Sequence, residues 1–297
     1  MKILGVTHTA PVFEVPRGAC DCHVHVFGPA AQFPFAPERK YTPGPASLEE
    51  LLALHRVLGF QRVVVVHPST YGTDNSCTVD AVRRMGARAR GVAVIDDGTS
   101  DKTIAVMHAA GVRGVRVNLE TYGAHDPIAA REAIRSAAAR VAPLGWHVQV
   151  FTNLDVIDAL HDEVMTLAVP LVVDHFGRAD AAKGIAQPGF AALVSLVKSG
   201  RTYVKLSAPY RISVQPDYAD AAQIARALIE ANPDRMLWGS DWPHPGGQPG
   251  QARRPDVVEP FHPVDDGAAL NGLASWTENA AELRKILVEN PARLYGF

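Results

Sequence analysis

Eight short apolar runs alternate with eight helical stretches along the 297 residues, which predicts a single-domain α/β protein, a TIM-type (β/α)8 barrel. Three observations carry this. The runs are Val-rich and continuous, as strands covered on both faces must be. The alternation is strict, which argues for parallel strands. The number eight argues for closure, whereas a doubly wound open sheet, the alternative, would bring a Gly-rich turn after its first strand, and none is present.

The runs are Ala19–Val26, Arg62–His67, Gly91–Ile95, Val112–Asn118, Trp146–Phe151, Pro170–His175, Thr202–Leu206 and Met236–Gly239. Ser47-Leu48-Glu49-Glu50 reads as a capping box ahead of an amphipathic helix. Thr103–Ala110 ends at Gly111, suited to the left-handed position past a helix, and Pro127 suits the first turn of a helix through Val141. Further helices are expected over Cys77–Met85, Leu154–Leu167, Gly189–Lys198, Tyr218–Ala231 and Thr277–Glu289. The chain divides into an N-terminal arm, residues 1–17, and the barrel, residues 18–297. Two connections are long: Phe27–Ala46, and Trp242 to about Gly272, which carries Gly246, Gly247, Pro249, Gly250, Arg253 and Arg254. Both follow strands, so both fall on the C-terminal face where barrel enzymes bind substrate, and loops of this length serve as lids or are disordered.

Hydrophobic residues make up 47% and charged residues 20%, enough apolar material for a large core. A net charge of −2 gives no electrostatic case for nucleic acid or an anionic membrane. No run reaches the ~20 apolar residues of a membrane span. Three cysteines form no disulfide framework, and the N-terminus does not read as a signal peptide, so a cytoplasmic location is expected.

The polar residues of interest sit at strand ends. His23 and His25, two apart, should share the inner face of the first strand, with Cys20, Cys22, Val24 and Val26 toward the helices. Two imidazoles in a packed lumen need a metal or shared hydrogen bonds; a pair of satisfied core histidines is the alternative. His175 ends the sixth strand, with Asp174 in the opposite phase and expected in a structural contact. Asp241 ends the eighth. Arg116 shares phase with Gly114, whose bare Cα leaves room for a guanidinium or a ligand. His67 and Ser69 end the second strand in lumen phase. Chance placement of so many polar groups at one end of one barrel is improbable, and a functional site is expected there.

The segments DCHVHVFGP (Asp21–Pro29), YGTDN (Tyr71–Asn75), RGVRVN (Arg113–Asn118), VVDHFGR (Val172–Arg178), WGSDWPHP (Trp238–Pro245) and NPARLYGF (Asn290–Phe297) together resemble the amidohydrolase superfamily, in the branch of the pyrone dicarboxylate lactonases. The resemblance implies hydrolysis or formation of a cyclic ester. It implies that Asp241 activates water, and that His23, His25 and His175 surround the reacting carbonyl. Tyr41, Ser69, Arg116, Arg178 and Arg211 fall where that branch holds its substrate. His244, beside Asp241, is a further candidate substrate contact, or a loop histidine that orients its neighbours. Arg178 can equally pair with Asp174 or another acid, Arg211 can be a surface residue, and Tyr41 can serve packing. The branch has one more carboxylate-binding arginine just past the fourth strand, where Leu119–Gly123 offers Glu120 and Tyr122 instead. The expected substrate is therefore a small anionic lactone with fewer or differently placed acidic groups. No cofactor is expected. A two-metal site lacks its lysine and histidine, while a single zinc would take His23, His25, His175 and Asp241. A metal-dependent decarboxylase using those four residues, and a non-catalytic ligand-binding barrel, are the competing readings. Oligomeric state is not legible.

Overall fold

The computed structural model describes residues 2–247 and 251–297; Pro249 and Gly250 of the second long loop lie outside the described residues. Eight parallel strands run in sequential order: β1 (Cys20–Val24), β2 (Arg62–Val66), β3 (Ala89–Ala93), β4 (Val112–Asn118), β5 (His147–Phe151), β6 (Leu171–Val173), β7 (Thr202–Ser207) and β8 (Met236–Gly239). The ring closes between β8 and β1 just past the regular ladder: Asp241 N–H donates to His23 O (2.8 Å) and His25 N–H to Trp242 O (2.8 Å). The fold is the (β/α)8 barrel that the alternation predicts.

Local sequence explains most of the outer helices. Ser47 and Glu50 form the reciprocal box on Leu48–Leu58, and Gly59 ends that helix with φ 83°. Asp126 caps Pro127–Val141, which buries Ala130, Ile134, Ala137, Ala138 and Val141. The stretch over Leu154–Leu167 is two short helices that meet at Leu160. The connection past Trp242 is shorter than the sequence suggests, because Asp265 accepts from the Gly267 and Ala268 amides and starts a helix, Asp266–Trp276. The two long loops clasp each other. Thr42–Pro43 pairs in parallel with Val258–Glu259, and the Arg39 guanidinium donates to Pro255 O.

The main apolar core lies between strands and helices. A smaller one fills the lower lumen and contains Cys20, Cys22, Val64, Val66, Val92, Val172, Tyr203, Leu237 and Tyr295. This corrects the expected phase of β1. The register against β2 slips between Asp21 and Val24, so two residues of β1 oppose one of β2. Cys20 and Cys22 therefore point inward with His23, and Val24 returns to the helix side. Asp21 consequently faces outward and fastens the seam. It accepts hydrogen bonds from the Ser240 hydroxyl (2.6 Å) and the Ser240 amide (3.0 Å), and lies 3.4 Å from His55 of the first helix.

Candidate active site

His23, His25, His175 and Asp241 come together at the C-terminal mouth, all four buried. Asp241 Oδ1 lies 3.5 Å from His23 Nε2, 3.4 Å from His25 Nε2 and 3.8 Å from His175 Nε2. Each residue arrives by a different backbone device. The bulge brings His23 inward, and Gly239 makes room, because a Cβ there would sit 2.6 Å from His23 Cβ. Asp241 is in lumen phase with φ 66°. On β6, Asp174 shares phase with the lumen residue Val172, so the expectation of an outward Asp174 is reversed. His175 would then face away, but β6 ends at Val173, and left-handed φ at His175 (50°) and Phe176 (56°) turns the imidazole back over the barrel.

The two carboxylates have different company. Asp241 Oδ2 accepts from the Tyr210 hydroxyl (2.6 Å) and from Arg211 Nε (2.9 Å), with Arg211 Nη2 at 2.8 Å, while its Oδ1 has no hydrogen-bond partner among the described residues. Burial opposes ionisation of Asp241, but Arg211 and the surrounding imidazoles outweigh it and hold the carboxyl well below the usual range. Asp174 Oδ2 accepts from Arg116 Nε (3.1 Å) and Gln149 Nε2 (3.0 Å), with Arg116 Nη2 at 3.0 Å. Burial again opposes its charge, and His23, Lys205 and Arg116 more than offset that, leaving it well below the ordinary carboxylate range.

Hydrogen bonds assign roles to the histidines. His25 Nδ1 is 2.8 Å from Val66 O, which can only accept, so Nδ1 carries a hydrogen, and Nε2 of the same ring faces Asp241 Oδ1. His175 Nδ1 is 2.8 Å from Ser207 Oγ, and burial pushes this ring far below its ordinary value, so it is neutral. His23 is pushed down to about 3 by burial and by Lys205. Lys205, fully buried on β7, lies 3.2 Å from His23 Nδ1 and donates to Gln149 Oε1 (2.7 Å). Sequence reasoning missed Lys205 and Gln149. Their signal was a charged and an amide residue in lumen phase on otherwise apolar strands.

The remaining candidates divide. Arg211 is not a surface residue but the partner of Asp241. Arg116 lies in the lumen, already committed to Asp174 and packed over Phe151 (5.2 Å to the ring centre). The room expected above Gly114 is filled by His147, whose ring atoms would lie 2.2–2.7 Å from a Cβ there. Arg178 pairs with Glu120 (3.6 Å), not with Asp174, and donates to Arg211 O. Tyr41 is buried beneath Arg253, whose guanidinium sits 3.5 Å above the ring centre. His67 is satisfied on both nitrogens by Thr78 and Gly72 O, yet with Ser69 and Arg116 it lines a cavity of about 540 Å³ that reaches Asn118 and Tyr122. Its lining includes Arg116 but none of His23, His25, His175 and Asp241. His244 faces Asp266 (3.2 Å) and packs edge-on to Tyr210, the hydroxyl partner of Asp241.

Residues 20–297 match the family model described as amidohydrolase. The chain belongs to the amidohydrolase family. It is 40% identical to a 2-pyrone-4,6-dicarboxylate hydrolase of Comamonas testosteroni over 96% of this chain and 92% of that one. It is 38% identical to a 4-sulfomuconolactone hydrolase of Rhizobium radiobacter, over 97% and 93% of the two chains. The structure of a probable 2-pyrone-4,6-dicarboxylic acid hydrolase from Acinetobacter baumannii with citric acid bound is similar at a TM-score of 0.79, with 27% identity, covering 94% of this chain and all of the other (100%). Among the described residues, no helix is long and apolar enough to cross a membrane.

Proposed function

We propose that this amidohydrolase opens, or in reverse closes, the ring of a small anionic lactone. The observation that carries the reading is the charge balance around a carboxylate oxygen left free. Three buried or nearly buried cations, Arg116, Lys205 and Arg211, face two anions, Asp174 and Asp241, beside the neutral imidazoles of His23 and His175. The mouth therefore carries excess positive charge, which an anionic substrate would neutralise. The relatives' names supply the substrate class: both curated proteins above act on lactones with acidic substituents.

In this reading a water donates to Asp241 Oδ1 beside His25 Nε2. Its lone pair faces the lactone carbonyl carbon, and Asp241 takes the proton as the C–O bond forms. His23 and His175 donate to the carbonyl oxygen as it becomes an oxyanion, each well-placed donor lowering the barrier by about 3 kcal/mol. Collapse breaks the ring C–O bond, and the proton held on Asp241 is returned to the leaving oxygen. The new carboxylic acid ionises, so each turnover releases one proton to solvent. Glu120, beside Arg178, stands in the segment where the branch this chain resembles has a carboxylate-binding arginine, and its negative charge disfavours a second acidic group there.

We read the centre as working without a metal. The donors a single divalent ion would need are nevertheless near: His23, His25 and Asp241 bring one ligand atom each close together, with His175 Nε2 3.8 Å from Asp241 Oδ1, and an ion held there would polarise the carbonyl. The test is a proton-release screen of pyrone, muconolactone and aldarolactone acids beside neutral lactones, repeated after chelation, with Asp241→Asn and Glu120→Gln. The expected outcome is turnover of anionic lactones only, unaffected by chelation. Asp241→Asn should lower kcat at least about a hundredfold in a folded protein, the lower end for loss of a general base. Glu120→Gln should improve kcat/KM for dicarboxylates. Equal turnover of neutral lactones, carbon dioxide release, or zinc-restored activity would overturn it.

A further inference from the structure

The proton on His23 can reside on either ring nitrogen, and the choice decides what this imidazole can do. With Nδ1–H, Nε2 presents a lone pair to the mouth and is a metal ligand. With Nε2–H, it presents a donor, the form an oxyanion requires. Two groups compete at Nδ1, both buried. Asp174 Oδ1 is 3.2 Å away and would draw the hydrogen to Nδ1. Lys205 Nζ is also 3.2 Å away and can only donate there.

The hydrogen-bond geometry separates them. Lys205 makes an aligned bond to Nδ1, whereas Asp174 Oδ1 receives no aligned hydrogen bond from any described residue. Lys205 is itself fixed, because it donates to Gln149 Oε1 at 2.7 Å while Gln149 Nε2 donates to Asp174 Oδ2 at 3.0 Å. That oxygen is saturated by Gln149 and Arg116, so the whole layer is locked beneath the imidazole. Above it, His23 Nε2 is a buried nitrogen with no partner among the described residues. A buried, unpartnered donor aimed at the reacting centre awaits an acceptor from the substrate.

We propose that Lys205, held by Gln149, is a positioning residue that fixes His23 as the Nε2–H tautomer, making the imidazole an oxyanion donor and denying its lone pair to a metal ion. The consequence reaches both chemistries open to this family's four-residue centre. A single ammonium under the first histidine sets the centre toward metal-free acyl chemistry. Arg116 and Asp174 hold the layer beneath the imidazole in register. The inference rests on the lactonase reading for its catalytic meaning, but the tautomer itself is a property of the free protein.

The test is long-range 1H–15N correlation on the histidine rings of the substrate-free protein at neutral pH, with the His23 signals assigned by His23→Gln. In the wild type the protonated nitrogen should be Nε2. In Lys205→Met it should move to Nδ1, toward Asp174. Titration of both proteins with Co2+ should give a tetrahedral absorption band at least about tenfold lower in metal concentration in Lys205→Met. Lactone kcat should fall at least about tenfold with KM changed less, the pattern for a lost transition-state donor. Lys205→Gln, which keeps an N–H at this place, should retain the wild-type tautomer. A wild-type His23 protonated on Nδ1 overturns the proposal without any variant having to fold. So does an unchanged tautomer in a folded Lys205→Met. Loss of the lactonase reading alone would leave these ring-nitrogen results unaltered.

Discussion

Arg116 is held by a carboxylate before any substrate arrives. Its guanidinium meets one oxygen of Asp174 through two nitrogens, and both side chains are buried. Removing one partner of such a pair strands the other charge in low dielectric, a loss of about 3–5 kcal/mol. Arg116→Met is therefore expected to destabilise the fold more than it weakens substrate binding. Adding Asp174→Asn should recover only part of the lost stability, because the buried Lys205 ammonium then loses its carboxylate, while leaving activity low. Denaturant unfolding of the two single variants and the double variant gives the coupling directly. Additive losses would show that the pair is not the unit described.

At the scale of elements, the mouth is framed by the clasp between the two long loops. Thr42–Pro43 meets Val258–Glu259, Arg253 lies over Tyr41, and Arg253 Nε donates to Glu259 Oε2 at 2.8 Å. The Phe27 and Phe261 rings also stack across the two loops, 5.8 Å between centres, so the clasp joins both loops over the mouth. Arg253→Ala removes the stack and the ion pair together. It is expected to raise KM several-fold with kcat within about twofold, since nothing in the reacting cluster moves. Steady-state kinetics on the best anionic lactone checks this, and an unchanged KM would mean that the clasp does not shape the site. The bulge in β1 is the other decisive element, because it alone puts His23 beside the two lumen cysteines.

For the whole molecule, the buried histidines make stability depend on pH. His23 is pushed down to about 3 by burial and Lys205, His67 to about 4 by burial and its neighbours, and His147 to about 3 by burial and Lys205. All three are neutral when folded and titrate near 6.5 when unfolded. A depressed folded value means stability that is complete above the unfolded value and lost as pH falls toward the folded one. At pH 5.5 each costs about 1.4 kcal/mol, so together about 4 kcal/mol is lost relative to pH 7.5. Asp174 and Asp241 have the same sign and extend the loss below about pH 4. Thermal unfolding should therefore drop by several degrees between pH 7.5 and 5.5. His147→Gln, remote from the mouth, should remove about a third of that dependence. A melting temperature flat across this range would contradict the buried neutral state.

The order of the strands, the capped helices and the four residues at the mouth are legible in the sequence, because each rests on local periodicity or on a strand end. Val-rich runs must be covered on both faces, and eight of them in alternation close on themselves. What local pattern could not decide is where parity breaks. A bulge reversed Cys20 and Cys22, and a left-handed turn carried His175 inward although Asp174 held the lumen phase. Pairing was equally out of reach: Arg211 with Asp241, Arg178 with Glu120, and Lys205 under His23 join residues that lie 30, 58 and 182 positions apart. Side-chain spacing reports only which face a residue takes in an unbroken strand. Charges inside a low-dielectric lumen select partners by distance, and only the closed barrel fixes those distances.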